Sequence, residues 1–246
     1  MSAADLEPRP ADDAPTVAAF DFDGTLMRGG SEFSFLIRLR GLLPVALAVL
    51  RCAPLLLRAA VMGGASADRA KQAMFDRLLS GLPAAHVDRT AAAFAEHHVR
   101  RHLRPETAAR LEWHRTQGHR IVVISGSPEC YVGPAAAILG ADAALATRLA
   151  VAGGLLTGRF DGRNCRGAEK YARLAGWLRT EGLRRNGSVQ PVLWAYGNSR
   201  GDLRLLEAAD RAVDAGHLGR FGHLRRFERL ADVDTSVPDR PSTTRR

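Results

Sequence analysis

The chain has 246 residues, 46% hydrophobic and 25% charged, which suffices for one well-buried α/β domain plus a smaller one and excludes wholesale disorder. Its three cysteines, Cys52, Cys130 and Cys165, form no C-x-x-C pair and leave an odd count, so neither a zinc ribbon nor a disulfide framework is indicated and a reducing cytoplasm is the default. The net charge of +9 invites phosphate partners, yet lysine occurs only at Lys71 and Lys170, and the arginines are spread along the chain with no zinc-finger or aromatic RNA-binding signature, so nucleic acid is not expected as the primary partner.

In chain order, residues 1–15 are acidic and proline-containing, unlike a signal peptide, and are expected to form a flexible tail. Val17 to Leu26 follows, a short apolar run that reads as a buried strand ending in Asp21, Asp23, Gly24 and Thr25. The Asp-Gly pair turns the backbone there, so both carboxylates are brought to one crevice at the strand's carboxyl end. Two carboxylates crowded at a strand tip call for a cation between them or for divided acid and base tasks; an ordinary surface turn is the plainer alternative.

Gly29-Gly30 leads into a helix-rich stretch from Glu32 to Leu103. Phe33 to Met62 is strongly apolar, interrupted by Arg38, Arg40, Arg51 and Arg58 and containing Pro44 and Pro54. A spanning helix is disfavoured by those charges, and a pair of packed helices broken near Pro54 is expected. The competing reading is a helix that lies on a membrane or admits a lipid-like substrate. A capped helix carrying Ala70, Met74, Leu78 and Leu79 comes next, then one from Ala84 to His102. On it His98 and His102 have metal-ligand spacing, but no third ligand is evident and a solvated face is expected for His97, His98 and His102.

From Glu106 helices and strands alternate. Arg120 to Ser125 is a β-branched run of the kind a central parallel strand requires. Ser125 and Gly126 stand at its tip, immediately before Pro128 and a new helix, where a hydroxyl and free backbone amides can cradle a phosphate. Residues 143–160, with Gly153-Gly154 inside, read as a β-hairpin. Lys170 opens a helix from 170 to 180, where a cation opposes the macrodipole and is better explained by an anionic partner, a substrate phosphate or Asp21 itself. Val192 to Gly197 reads as another buried strand, followed by a loop with Asn198 and Asp202, oxygen donors of the type magnesium takes. Residues 210–214 suggest one more short strand, and the Pro/Ser/Thr/Arg-rich residues 235–246 are expected to be disordered.

Asp21-x-Asp23-Gly24-Thr25, Ser125-Gly126, Lys170 and Asn198-(x)3-Asp202, in that order, resemble the four motifs of the haloacid dehalogenase superfamily, and the runs at 118–129 and 197–202 resemble its phosphoserine-phosphatase-like IB hydrolases. The resemblance implies an α/β fold: a doubly wound, Rossmann-like parallel sheet, residues 16–30 and 105–234, with a helical cap, residues 31–104, inserted after the first strand. It implies a Mg2+-dependent phosphomonoester hydrolase acting on a small phosphorylated metabolite. Asp21 would form an aspartyl-phosphate, Asp23 would carry the proton, and Thr25, Ser125, Gly126 and Lys170 would hold the phosphoryl group. Asp21, Asp23, Asn198 and Asp202 would bind Mg2+. Asp23 argues against a dehalogenase, which needs no acid there. Two departures stand out: Asn198 replaces the Asp of many relatives, and residues 27–32 do not reproduce the substrate contacts of phosphoserine phosphatases, although Glu32 is placed to reach an amine. Two other functions compete: a lipid-phosphate phosphatase at the membrane surface, which the apolar insert suggests through peripheral membrane contact, and a non-catalytic phosphate-binding module. Oligomeric state is not legible.

Overall fold

The computed structural model describes residues 14–183, 191–216 and 227–233, so the tail expected at 235–246, and that at 1–15 apart from Ala14 and Pro15, lie outside the described residues. Six strands, β1 (Thr16–Asp21), β2 (Arg120–Pro128), β3 (Ala143–Thr147), β6 (Val192–Gly197), β7 (Arg211–Asp214) and β8 (Glu228–Arg229), form one parallel sheet in the order β3-β2-β1-β6-β7-β8. Side chains alternate across it. Ala18, Phe20, Ile121 and Val123 face one apolar layer, with α5 (Pro105–Thr116) and α6 (Glu129–Ile138). Val17, Ala19, Val122 and Ile124 face the other, with α7 (Ala168–Thr180) and α8 (Leu203–Ala208). Runs buried on both faces are why β1 and β2 read as unbroken apolar segments. The chain leaves β1 toward β2 on one side and returns through β6 on the other, which opens a crevice at the carboxyl ends of these strands.

Four helices, α1 (Glu32–Arg40), α2 (Leu42–Met62), α3 (Gly64–Leu79) and α4 (Ala84–His102), separate β1 from α5. Their entry and exit are tied together: the Arg28 amide donates to the His102 carbonyl at 2.7 Å and the Arg104 amide to the Leu26 carbonyl at 2.9 Å.

Three sequence expectations are corrected. The apolar helix pair breaks at Gly41, whose φ of 85° suits glycine, whereas α2 runs unbroken through Pro54. Pro54 lies on the exposed side of α2. Nor is α2 packed away: only Val45, Ala48 and Cys52 of it are buried. The hairpin is shorter than expected, β4 (Leu149–Ala152) with β5 (Leu155–Phe160), because Ala143–Thr147 joins the main sheet beside β2. It packs on α3 so closely that a Cβ at Gly158 would meet Asp76 Cα at 2.7 Å. Finally, His98 is not solvated: it is 3% exposed and stacked between Phe94 and His102, continuing the buried stripe Val87, Ala91, Phe94 and Ala95.

Candidate active site

Asp21 is the last residue of β1, and the chain folds back just past it through amide donations from Leu26 to the Asp21 carbonyl and from Met27 to that of Phe22. Gly24, at φ 82°, makes this turn and has no room for a side chain: a Cβ there would lie 1.9 Å from Asn198 Nδ2.

The Asp21 carboxylate is buried and held from two sides. Oδ2 accepts the Thr25 hydroxyl at 2.9 Å, and Oδ1 meets Lys170 Nζ at 2.5 Å. The same ammonium lies 2.5 Å from Asp202 Oδ1. Lys170 is the third residue of α7, not the first, and is 3% exposed. Asp202 Oδ2 accepts the Ser199 amide at 2.9 Å and the Ser199 hydroxyl at 2.8 Å, a reciprocal cap that locks the loop after β6. Burial first, and then the Asp202 carboxylate, push the Asp21 carboxyl up to about 7. Burial alone would lower the Lys170 ammonium, but Asp202 and Asp21 outweigh it and hold it above its ordinary value. The expected anionic partner of Lys170 is therefore the pair of carboxylates.

Asp23 points to a different set of donors, the Ser31 amide at 2.7 Å and the Ser127 hydroxyl at 2.5 Å. Ser125 does not end β2, as the sequence suggested, because the strand runs on to Pro128; its Oγ accepts the Ser127 amide at 3.0 Å. The Gly126 carbonyl accepts Lys71 Nζ at 2.8 Å and the Thr147 hydroxyl. Lys71 also pairs with Glu32, so α3 and α1 are latched to β2.

These groups line a cavity of about 240 Å3, which gathers Asp21, Asp23, Glu32, Ser125, Gly126, Lys170 and Asp202. Two predicted residues do not line it. Thr25 is fully buried behind Asp21, which takes its hydroxyl. Asn198 lies under the Gly24 turn, and its Oδ1 is buried without a hydrogen-bond partner among the described residues. The cavity also brings in Asp68, Lys71, Ser127, Asn164 and Arg166, which the sequence did not single out for chemistry. Lys71 carried a signal, being the other lysine of an arginine-rich chain. Ser127, just before Pro128 and the new helix, carries no sequence signal beyond that of a helix cap.

No cluster of three or more His, Cys, Asp or Glu side chains suited to a metal occurs among the described residues. A mixed set fits a hard cation better: the Asp21 and Asp202 carboxylates, and the amide oxygen of Asn198, a buried acceptor that receives no hydrogen bond among the described residues.

With this geometry in hand, residues 18–207 match the family model of the haloacid dehalogenase-like hydrolases. The chain belongs to this family. Protein CicA of Caulobacter vibrioides is 34% identical over 197 residues, covering 80% of this chain and 84% of that one. A Bordetella pertussis Tohama I protein of unknown function has a similar structure, with a TM-score of 0.72 and 20% identity over 90% of this chain and 99% of that one. A substrate-bound phosphoserine phosphatase superposes with a TM-score of 0.57 and 21% identity over 81% and 85% of the two chains. Family membership and these neighbours bear out the expected α/β hydrolase fold and its likeness to phosphoserine phosphatases.

Proposed function

We propose that this haloacid dehalogenase-like hydrolase is a Mg2+-dependent phosphomonoester phosphatase that works in the cytoplasm through an aspartyl-phosphate on a small phosphorylated metabolite. The observation that carries the reading is Asp21: a buried carboxylate oriented by Thr25 and Lys170, at the wall of a polar cavity. An Asp21 oxygen forms a bond to phosphorus as the ester P–O bond breaks, and the leaving oxygen takes its proton from Asp23. Asp23 then takes a proton from water, which attacks phosphorus and frees inorganic phosphate and the Asp21 carboxylate. Lys170 offsets the charge that builds on the phosphoryl oxygens, with Ser125 and Gly126 of β2 lining the same cavity. Ser127 holds the Asp23 carboxyl in place through both steps. Mg2+ would be held by Asp21, Asp202, the backbone carbonyl of Asp23 and the Asn198 amide oxygen, and when bound it supplies further positive charge against phosphate.

Residues 31–104 form the cap in this reading and choose the substrate, because Glu32, Asp68 and Lys71 reach the cavity from it. Convergent charges there suit a small charged molecule, with the Glu32 carboxylate placed to take an amine. A second reading, an ester whose alcohol is a lipid, is favoured by the bare apolar surface of α2. A broad panel of phosphate esters with Mg2+, lipid phosphates included, tests both. Hydrolysis abolished by Asp21→Asn supports the proposal. Absence of turnover across the panel overturns it, and phosphate binding without turnover would make the chain a phosphate-binding module.

A further inference from the structure

The α2 helix carries only two charged residues, Arg51 and Arg58, yet meets the body along one narrow stripe. Leu43, Leu47, Leu50, Pro54, Leu57 and Val61 follow one another at steps of four and three residues, which puts them on a single face turned away from the buried Val45, Ala48 and Cys52. Leu50 and Leu57 are each 70% exposed and Val61 is 87% exposed. Arg51 and Arg58, seven residues apart, run along one edge of this face. From Phe33 to Ala67 the chain carries Arg38, Arg40, Arg51 and Arg58 and no acidic residue. All four arginines are exposed, and none makes an ion pair among the described residues.

We propose that this face of α2 docks on the surface of an anionic lipid bilayer. Bare leucines bordered by unpaired arginines match a surface that offers acyl chains below and negative headgroups above. The helix lies in the interface and does not cross the bilayer, although among the described residues it is the one helix long and apolar enough to do so. Gly41 and Gly63 are single-residue joints to α1 and α3, both of which bury side chains in the body, so both ends of α2 stay on one side. Crossing would also set Arg51 near mid-membrane, where a charge is disfavoured. A second copy of the chain is the poorer occupant, since a two-fold pairing of this face brings arginine rows together with no acid to meet them. Docking sets the first turn of α3 beside the bilayer, and Ala67, which ends that turn, and Asp68, the next residue, line the cavity.

The proposal does not depend on turnover, and its test reads binding. The full chain is sedimented with vesicles of phosphatidylcholine alone or mixed with phosphatidylglycerol. The wild type and Asp21→Asn are expected to pellet alike with the mixed vesicles. Leu50→Gln with Leu57→Gln keeps the net charge, and is expected to lose about tenfold or more in partitioning at an unchanged melting temperature. Arg51→Gln with Arg58→Gln is expected to lose roughly thirty-fold, from about 1 kcal/mol per arginine at an anionic surface. Arg100→Gln with Arg101→Gln, which removes equal charge from α4, should leave binding unchanged. Failure of the wild type to pellet, equal binding by the leucine variant, or an equal loss with the Arg100 and Arg101 variant overturns the proposal. So does sedimentation of a dimer that the leucine variant abolishes while vesicles capture nothing.

Discussion

Lys170 and Asp21 stand 149 positions apart in the chain and meet at 2.5 Å, with the ammonium shared onward to Asp202. One buried cation thus holds two buried carboxylates together. Lys170→Met leaves both without it, and removing one partner of such a cluster costs on the order of 3–5 kcal/mol. We expect a clearly lowered melting temperature that millimolar Mg2+ partly restores and EDTA does not. Thermal unfolding with and without metal reads this directly; a variant as stable as wild type in EDTA would contradict the buried-cluster account.

Asp23 is set apart from Asp21 by its own donors, Ser31 and Ser127, which suits it to a separate task. Asp23→Asn should lower steady-state hydrolysis by roughly 10^2–10^4. With an aryl phosphate, whose leaving group needs little help, the first step should survive. Rapid-mixing kinetics should then show about one equivalent of phenol released per enzyme before turnover stalls.

Asn198→Asp places a charge where a buried amide oxygen has no partner among the described residues. The Mg2+ concentration for half-maximal activity should fall by about tenfold, since metal affinity follows the charge of the ligand set. Gly24→Ala should act in the opposite sense, because its Cβ would collide with Asn198 Nδ2. Metal titrations of the two variants against wild type separate these effects from a general loss of fold.

Stability should depend on pH through His114. It is fully buried, hydrogen-bonded to Tyr196 and His119 at 2.8 Å each, and pushed down to about 2 by burial and then by the neighbouring His119 and Arg110. An unfolded histidine titrates near 6.5, so below that pH the unfolded chain binds a proton that the folded chain refuses. The contribution is complete above about 6.5 and is lost as pH falls toward 2, by up to about 1.4 kcal/mol per unit. Urea unfolding between pH 7 and 4 should show a steeper decline for wild type than for His114→Gln.

Much of the site was legible because each motif is a local pattern: a strand followed at once by residues its apolar run does not need. Asp21, Ser125 and Asp202 follow that rule, and Lys170 betrayed itself by opposing a helix dipole. Contacts made across the chain were not legible. Ser127 reaches Asp23 over 104 positions, and nothing near Ser127 distinguishes that role from a cap. Lys71 reaches β2 from α3, a meeting that depends on how the inserted helices sit. The α2 sequence reads the same whether its leucines are packed or bare, and only the fold decides between the two. His98 illustrates the reverse case, a polar residue that an apolar stripe carries inside.

The paired backbone at Leu26–Arg28 and 102–104 has a further consequence. The chain departs from the sheet layer and rejoins it at neighbouring points, and the four helices between are tied back to it twice more, by Lys71 on the Gly126 carbonyl and by backbone bonds of Gly81, Leu82 and Ala84 with Gly154 and Leu156 of the hairpin. A shift of residues 31–104 is therefore felt inside the cavity itself, at Asp23 through the Ser31 amide and at β2 through Lys71.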